Sequence, residues 1–236
     1  MRLINNMFKT LKEIAPYRLK TFYKKNFRKF NGVKRVDEKM LKYINYNNGY
    51  YIEIGAHDGV HNSNTFYFEK YKDWNGILIE PSSYYNFLIK NRSKKNNFYN
   101  NGCSEFNSEV ESILLGSGDY SVFKDLVDKE FFDWYFKKQV QAKKKLSKTK
   151  IKIRTLNSIL IESKAPRLID FFSLDVEGME MKVLGGIDFD NFNFKYLLVE
   201  CTDKNKFNKV SDFLIKKNYT HIDNLTPWDC LFKFNQ

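Results

Sequence analysis

From Tyr50 onward the chain alternates short apolar runs with stretches whose apolar residues recur at helical spacing. "YYIEIG" predicts a strand ending at Gly55, and "NTFYFEKY" continues as a helix in which Lys70 and Tyr71 follow Phe66 and Tyr67 at helical spacing. "GILIEP" is a second strand closed by Pro81, followed by the helical "SSYYNFLIKNR", and "NNFYNNGCS" supplies a third strand. After a lysine-rich stretch come "IKIRTLNSILIE", "RLIDFFSLDVEG", the helical "MEMKVLGGI" and the strand "KYLLVEC". A helix over "NKVSDFLIKK" and two strands, "YTHIDN" and "WDCLFKFN", close the chain. Strands alternating with helices of this length predict an α/β fold, a mostly parallel, doubly wound sheet with helices on both faces. In such sheets ligands bind outside the carboxyl ends of the strands.

Before Tyr50 the pattern is different. Leu3, Ile4, Met7, Phe8, Leu11 and Ile14 recur at helical spacing, Pro16 interrupts, and Leu19, Phe22, Tyr23, Phe27 and Phe30 resume the pattern among Lys and Arg. Residues 1–47 therefore form a basic amphipathic helical arm, and residues 48–236 the α/β domain with a lysine-rich insert near 125–150. Three roles are open to the arm: packing on the domain as a lid or oligomer surface, docking on a membrane surface, or contact with an anionic polymer such as nucleic acid.

Charge sharpens this division. The net charge of +12 is concentrated in two places. Residues 1–35 carry eleven Lys and Arg against Glu13 alone, and residues 137–152 carry eight Lys and no acid. The rest of the chain is mildly acidic, so a nucleic-acid reading rests on the arm and the insert alone. No stretch reaches the roughly 18–20 apolar residues of a membrane span, and the N-terminus lacks a signal-peptide apolar run, so a cytoplasmic location, peripheral to a membrane at most, is expected. Cys103, Cys201 and Cys230 have no C-x-x-C spacing and read as buried small hydrophobes.

The acids of the domain gather at predicted strand ends: Glu53 with Asp58, then Glu80, then Asp175 with Glu177, then Glu200. A dinucleotide fingerprint needs G-x-G-x-x-G, whereas here Gly55 and Gly59 stand four apart with Ala56, His57 and Asp58 between them. A pyrophosphate in that loop would face like charges, at a cost of about 4 kcal/mol for a pair roughly 4 Å apart at an effective dielectric of about 20. S-adenosylmethionine reverses the sign, because it lacks phosphate, carries a sulfonium and an ammonium, and needs an acid for its ribose. Glu80, 21 positions after Gly59, stands where that acid is needed. Asp175 and Glu200 would suit a magnesium ion if they met, but no metal motif such as H-E-x-x-H is present and no metal is assigned.

"YIEIGAHDGVHNSNTFYFEK", "WNGILIEPSSYYNFLIKNR", "IDFFSLDVEGMEMKVLGG" and "YLLVEC", in this order, resemble the FkbM family of S-adenosylmethionine-dependent methyltransferases over about residues 48–235. The resemblance implies a Rossmann-like methyltransferase fold and transfer of a methyl group to a hydroxyl, often of a sugar or glycan. It also implies site residues. Glu53, Gly55, Ala56, Asp58 and Gly59 would line the methionine end of the cofactor, with Ser63 and Asn64 capping the next helix near its carboxylate. Glu80 and Pro81 would flank the ribose, Cys103 and Ser104 would lie near the adenine, and Asp175 and Glu177 would face the transferred methyl. Asp175 is the first candidate for the base that receives the hydroxyl proton and Glu177 the second. His57 stands where the family pattern often has Asn and is given no catalytic role.

Two rival functions belong to other classes. RNA methylation would use the arm and insert as an electrostatic funnel, and a binding module would keep the cofactor fold without chemistry. The acidic balance of the domain favours a neutral acceptor such as a sugar or glycan. Trp134, Tyr135 and Trp228 could stack on either acceptor or fill the core.

Overall fold

Side chains along the central strands alternate between two cores. On β1 (Tyr50–Ile54) and β2 (Asn75–Ile79), Ile52, Ile54, Ile77 and Ile79 face one way, while Tyr51 and Leu78 face the other. On β8 (Leu168–Leu174) and β9 (Asn193–Glu200), Phe172, Leu174, Leu197 and Val199 join the first core, and Phe171 and Leu198 the second. A parallel sheet buried on both faces needs such residues on both sides of each strand. The computed structural model describes residues 16–116, 121–143 and 146–235. The first predicted arm helix lies outside these residues.

The first core is covered by α6 (Leu156–Glu162), α7 (Glu180–Gly185) and α8 (Lys204–Ile215). The second is covered by α3 (Phe66–Lys72), α4 (Tyr85–Asn91) and the chain from Phe30 to Ile44, which includes the short α2 (Val36–Lys39). Caps fix several of these starts: Thr155 accepts from the Ser158 amide before α6, and Asp203 from the Lys206 amide before α8.

With β3 (Asn97–Tyr99), β10 (Tyr219–Asn224) and β11 (Asp229–Phe234), the main sheet has the order β10-β11-β9-β8-β1-β2-β3. β11 pairs antiparallel with both neighbours and the other pairings are parallel, giving the Rossmann-like sheet expected. The chain proceeds outward from β1 to β2 on one side and later to β8 on the other. The crevice between the carboxyl ends of β1 and β8 is therefore the topological switch point.

Two expectations need correction. The arm boundary at residue 47 cuts through the second core, because Phe30, Val36, Met40 and Ile44 are buried there, Met40 and Ile44 completely. Only α1 (Tyr17–Phe27) stands apart, with Leu19, Phe22, Tyr23 and Phe27 exposed. The third strand divides. β3 stays on the main sheet, while β4 (Gly102–Cys103) leaves it after Asn100, whose Nδ2 donates to the carbonyls of Glu80 and Pro81. The insert is a second sheet, β4-β7-β5-β6, built with β5 (Ser108–Gly116), β6 (Ser121–Phe123) and β7 (Ser147–Arg154) and carrying α5 (Lys129–Gln141).

Candidate active site

The loop after β1 is shaped by its glycines and by what lies beneath them. Gly55 has φ +83°, and a Cβ there would sit 2.0 Å from the Asp175 carbonyl oxygen, so the ends of β1 and β8 meet only because residue 55 lacks a side chain. Gly59, at φ +77°, lies over the Arg92 side chain, which would be 2.6 Å from an added Cβ.

Arg92 is the anchor that sequence reasoning missed. Its guanidinium is fully buried and donates to Glu69 Oε2 (2.8 Å), Tyr51 Oη (2.7 Å), Thr65 Oγ1 (2.9 Å) and the Gly59 carbonyl (3.1 Å), with Glu53 Oε2 at 3.4 Å. Its partners are 23 to 41 positions away, so no local spacing announces them. Glu53 also accepts from Ser63 Oγ, Thr65 Oγ1 and the Asn64 amide, at 2.8, 2.6 and 2.8 Å. Ser63 Oγ in turn accepts from the Phe66 amide, capping α3, and Asn64 Nδ2 donates to Ser173 Oγ.

Asp58 is wholly buried under the loop and does not line the cleft. Its carboxylate accepts from the Val60 and His61 amides and from Tyr17 Oη (2.6 Å) on α1, with His61 Nδ1 at 2.7 Å. Burial alone would raise its pKa, but hydrogen bonds from His57, His61 and Tyr17 hold it well below the usual carboxylate range. Ala56 and Gly59 belong to the loop without lining the cleft, and Ser104, buried after β4, does not line it either. The Ser104 amide donates to the Arg154 carbonyl.

The cleft has two halves that meet at Gly55, His57 and Asp175. One is lined by Glu80, Pro81, Gly102, Cys103, Phe123 and Glu177. Glu80 is fixed by two backbone donors, the His57 amide on Oε2 and the Ser82 amide on Oε1, both 2.8 Å. Burial pushes the Cys103 thiol up to about 12, so this wall is uncharged at neutral pH. The other half is walled by Glu53, Ser63, Asn64 and Ser173 on one side and by Tyr17, Lys20 and Lys24 of α1 on the other. Asn64 Oδ1 is turned away from the cleft toward Gly32 and is buried without a hydrogen-bond partner among the described residues.

Acids occupy the floor. Carboxylate oxygens of Asp175, Glu180 and Glu200 lie within 4.8 Å of one another. A divalent cation could be held at that spacing, yet Lys206 brings its own ammonium to 2.9 Å from Glu180 and 3.5 Å from Glu200. Glu180 Oε1 accepts from the Val176 and Gly178 amides and so folds the loop that presents Asp175 and Glu177. Asp175 is open to solvent but walled in by protein and by other acids. Burial and the charges of Glu200 and Glu177 push its pKa well above the ordinary carboxyl value. Burial, then Glu200 and Glu180, push Glu177 up to about 8. From the insert, Phe131 packs on Gly178, and Tyr135 is buried, its pKa raised to about 12 by burial and by the charge of Glu177. Tyr135 is thus buried near Glu177 without lining the cleft, while Trp134 is half exposed.

Known proteins bear on this geometry. The family profile described as methyltransferase FkbM domain matches residues 53–233. Among solved structures, a methyltransferase FkbM from Methylobacillus flagellatus is similar at TM-score 0.48 and 14% identity, over 79% of this chain and 44% of that one. A human methyltransferase 10 domain containing protein is similar at TM-score 0.47 and 8% identity, over 96% and 95%. A putative RNA methyltransferase from Pyrococcus horikoshii gives 0.44 and 8%, over 84% and 81%. The chain thus spans less than half the length of the Methylobacillus protein. No curated protein matches the sequence.

Proposed function

Because the chain belongs to the FkbM family of methyltransferases, we propose that it transfers a methyl group from S-adenosyl-L-methionine to a hydroxyl of a sugar or glycan, leaving S-adenosyl-L-homocysteine. The residues present fit this cofactor. Glu80 keeps lone pairs beyond those used by its two amide donors, which suits a ribose diol. The acidic floor suits a cationic ligand and opposes a pyrophosphate. When bound, S-adenosylmethionine supplies an electrophilic methyl on a sulfonium.

The observation that carries the reading is the pair Asp175 and Glu177, acids at the junction of the two half-clefts whose pKa values are raised. A carboxylate near pKa 4 is a poor base toward a hydroxyl, whereas one tuned toward neutrality accepts a proton effectively as the C–O bond forms. Asp175, as the carboxylate, takes the acceptor proton, and Glu177, on the nucleoside side, keeps its own proton to about pH 8 and so leaves Asp175 a neutral neighbour. Positioned general bases contribute about 10² to 10⁴ in rate. Asp175→Asn should therefore keep the fold and cofactor affinity while lowering turnover at least about a hundredfold. Transfer of labelled methyl to a panel of sugars, glycans and RNA oligonucleotides measures this. Unchanged turnover removes Asp175 from catalysis, and label entering RNA alone overturns the sugar reading.

A further inference from the structure

α1 lies outside the span matched by the family profile, yet it forms one wall of the cleft. Tyr17, Lys20 and Lys24 are spaced three and four apart, so they share one face of the helix. That face is turned inward, since Lys20 and Lys24 are half-buried while Leu19, Phe22 and Tyr23 are exposed. The helix is held there by Tyr17, whose ring also meets those of Tyr84 and Phe87, and by Thr21. Tyr17 Oη donates to Asp58 at 2.6 Å, Thr21 Oγ1 lies 3.3 Å from the same carboxylate, and the Tyr17 ring stacks on His61 with centroids 4.9 Å apart.

This half of the cleft carries opposite charges on opposite walls. Lys20 and Lys24 stand on the α1 side, and Asp175 with the Glu53–Ser63–Asn64 wall on the other. Glu53 is held by Arg92 and by the Ser63, Asn64 and Thr65 donors, and Lys20 and Lys24 bring positive charge to the opposite wall. The complementary ligand group is a zwitterion with a carboxylate and an ammonium on one carbon. The nucleoside half, with Glu80 and Cys103, opens from the same junction at Gly55 and Asp175.

We infer that Lys20 and Lys24 bind the α-carboxylate of the cofactor's amino-acid end, making α1 part of the cofactor site. The inference rests on the S-adenosylmethionine reading above and adds a binding element from outside the matched domain. It also accounts for the buried Asp58, whose work is to fasten that element to the glycine loop.

The test separates the amino-acid end from the nucleoside. Calorimetric titration of the full chain with S-adenosylhomocysteine is compared with 5′-methylthioadenosine, which keeps the nucleoside and thioether but lacks the amino acid. Lys20→Ala/Lys24→Ala should weaken S-adenosylhomocysteine binding at least about tenfold, as expected for loss of a charge-assisted hydrogen bond, and leave methylthioadenosine within about twofold. Lys20→Arg/Lys24→Arg should retain most of the affinity for S-adenosylhomocysteine. Unchanged S-adenosylhomocysteine affinity in the alanine variant, or an equal loss for both ligands, overturns the inference while the cofactor reading stands. Failure of the unaltered protein to bind either ligand overturns the cofactor reading and the inference with it.

Discussion

Asp58 and Glu177 show how far the environment of one carboxyl decides its task. Asp58 is surrounded by donors and stays ionised, so it can serve as a fixed anchor. Glu177 is surrounded by other acids and by protein, which holds its proton to about pH 8. A carboxyl with pKa 4.5 when unfolded and about 8 when folded binds its proton more tightly in the native state. Its contribution to stability is full below about pH 4.5 and is lost as the pH rises through about 8. Asp175, shifted in the same direction, adds to the slope. Thermal melts of the ligand-free protein should therefore fall from about pH 5 to about pH 9, and Glu177→Gln should flatten the fall. A parallel slope in the variant would mean that Glu177 does not hold the excess proton.

At the scale of elements, the β1 loop, α3 and α4 are joined through Arg92. Substituting Leu would leave Glu53 and Glu69 buried without their counter-charge, a change that costs about 3–5 kcal/mol where one partner of a buried pair is removed. Urea unfolding of Arg92→Leu should show a loss of that size. A loss below about 1 kcal/mol would mean that the loop is held by its other bonds. The strands and the helices covering them were legible in the sequence because each is a continuous apolar run or a helical stripe, as in "GILIE" or "NKVSDFLIKK". Arg92 was not, because its meaning lies in partners from other elements. The insert was not either, since Gly102 and Cys103 read as the end of a strand until Asn100 is seen turning the chain toward a second sheet. The acids at strand ends were legible as a set, but their division of labour was not. Asp58 and Glu53 look like ligand groups in "EIGAHDG" and are largely consumed by hydrogen bonds that only the folded loop creates.

For the whole molecule, the architecture places three contributions around one crevice. The sheet supplies Gly55, Glu80 and Asp175 at its carboxyl edge, the insert supplies Phe123, and the N-terminal helix supplies Lys20 and Lys24. Positive charge is thereby confined to one wall of a site whose floor is acidic. The nucleoside half is the part of the account on which everything else depends, and its single charged anchor is Glu80. The most direct measurement is calorimetric titration with S-adenosylmethionine and, separately, NAD, on the unaltered protein and on Glu80→Ala. S-adenosylmethionine should bind in about the micromolar range, that binding should be lost in the variant, and NAD should not bind. A folded protein that ignores S-adenosylmethionine, or prefers NAD, would contradict the cofactor reading.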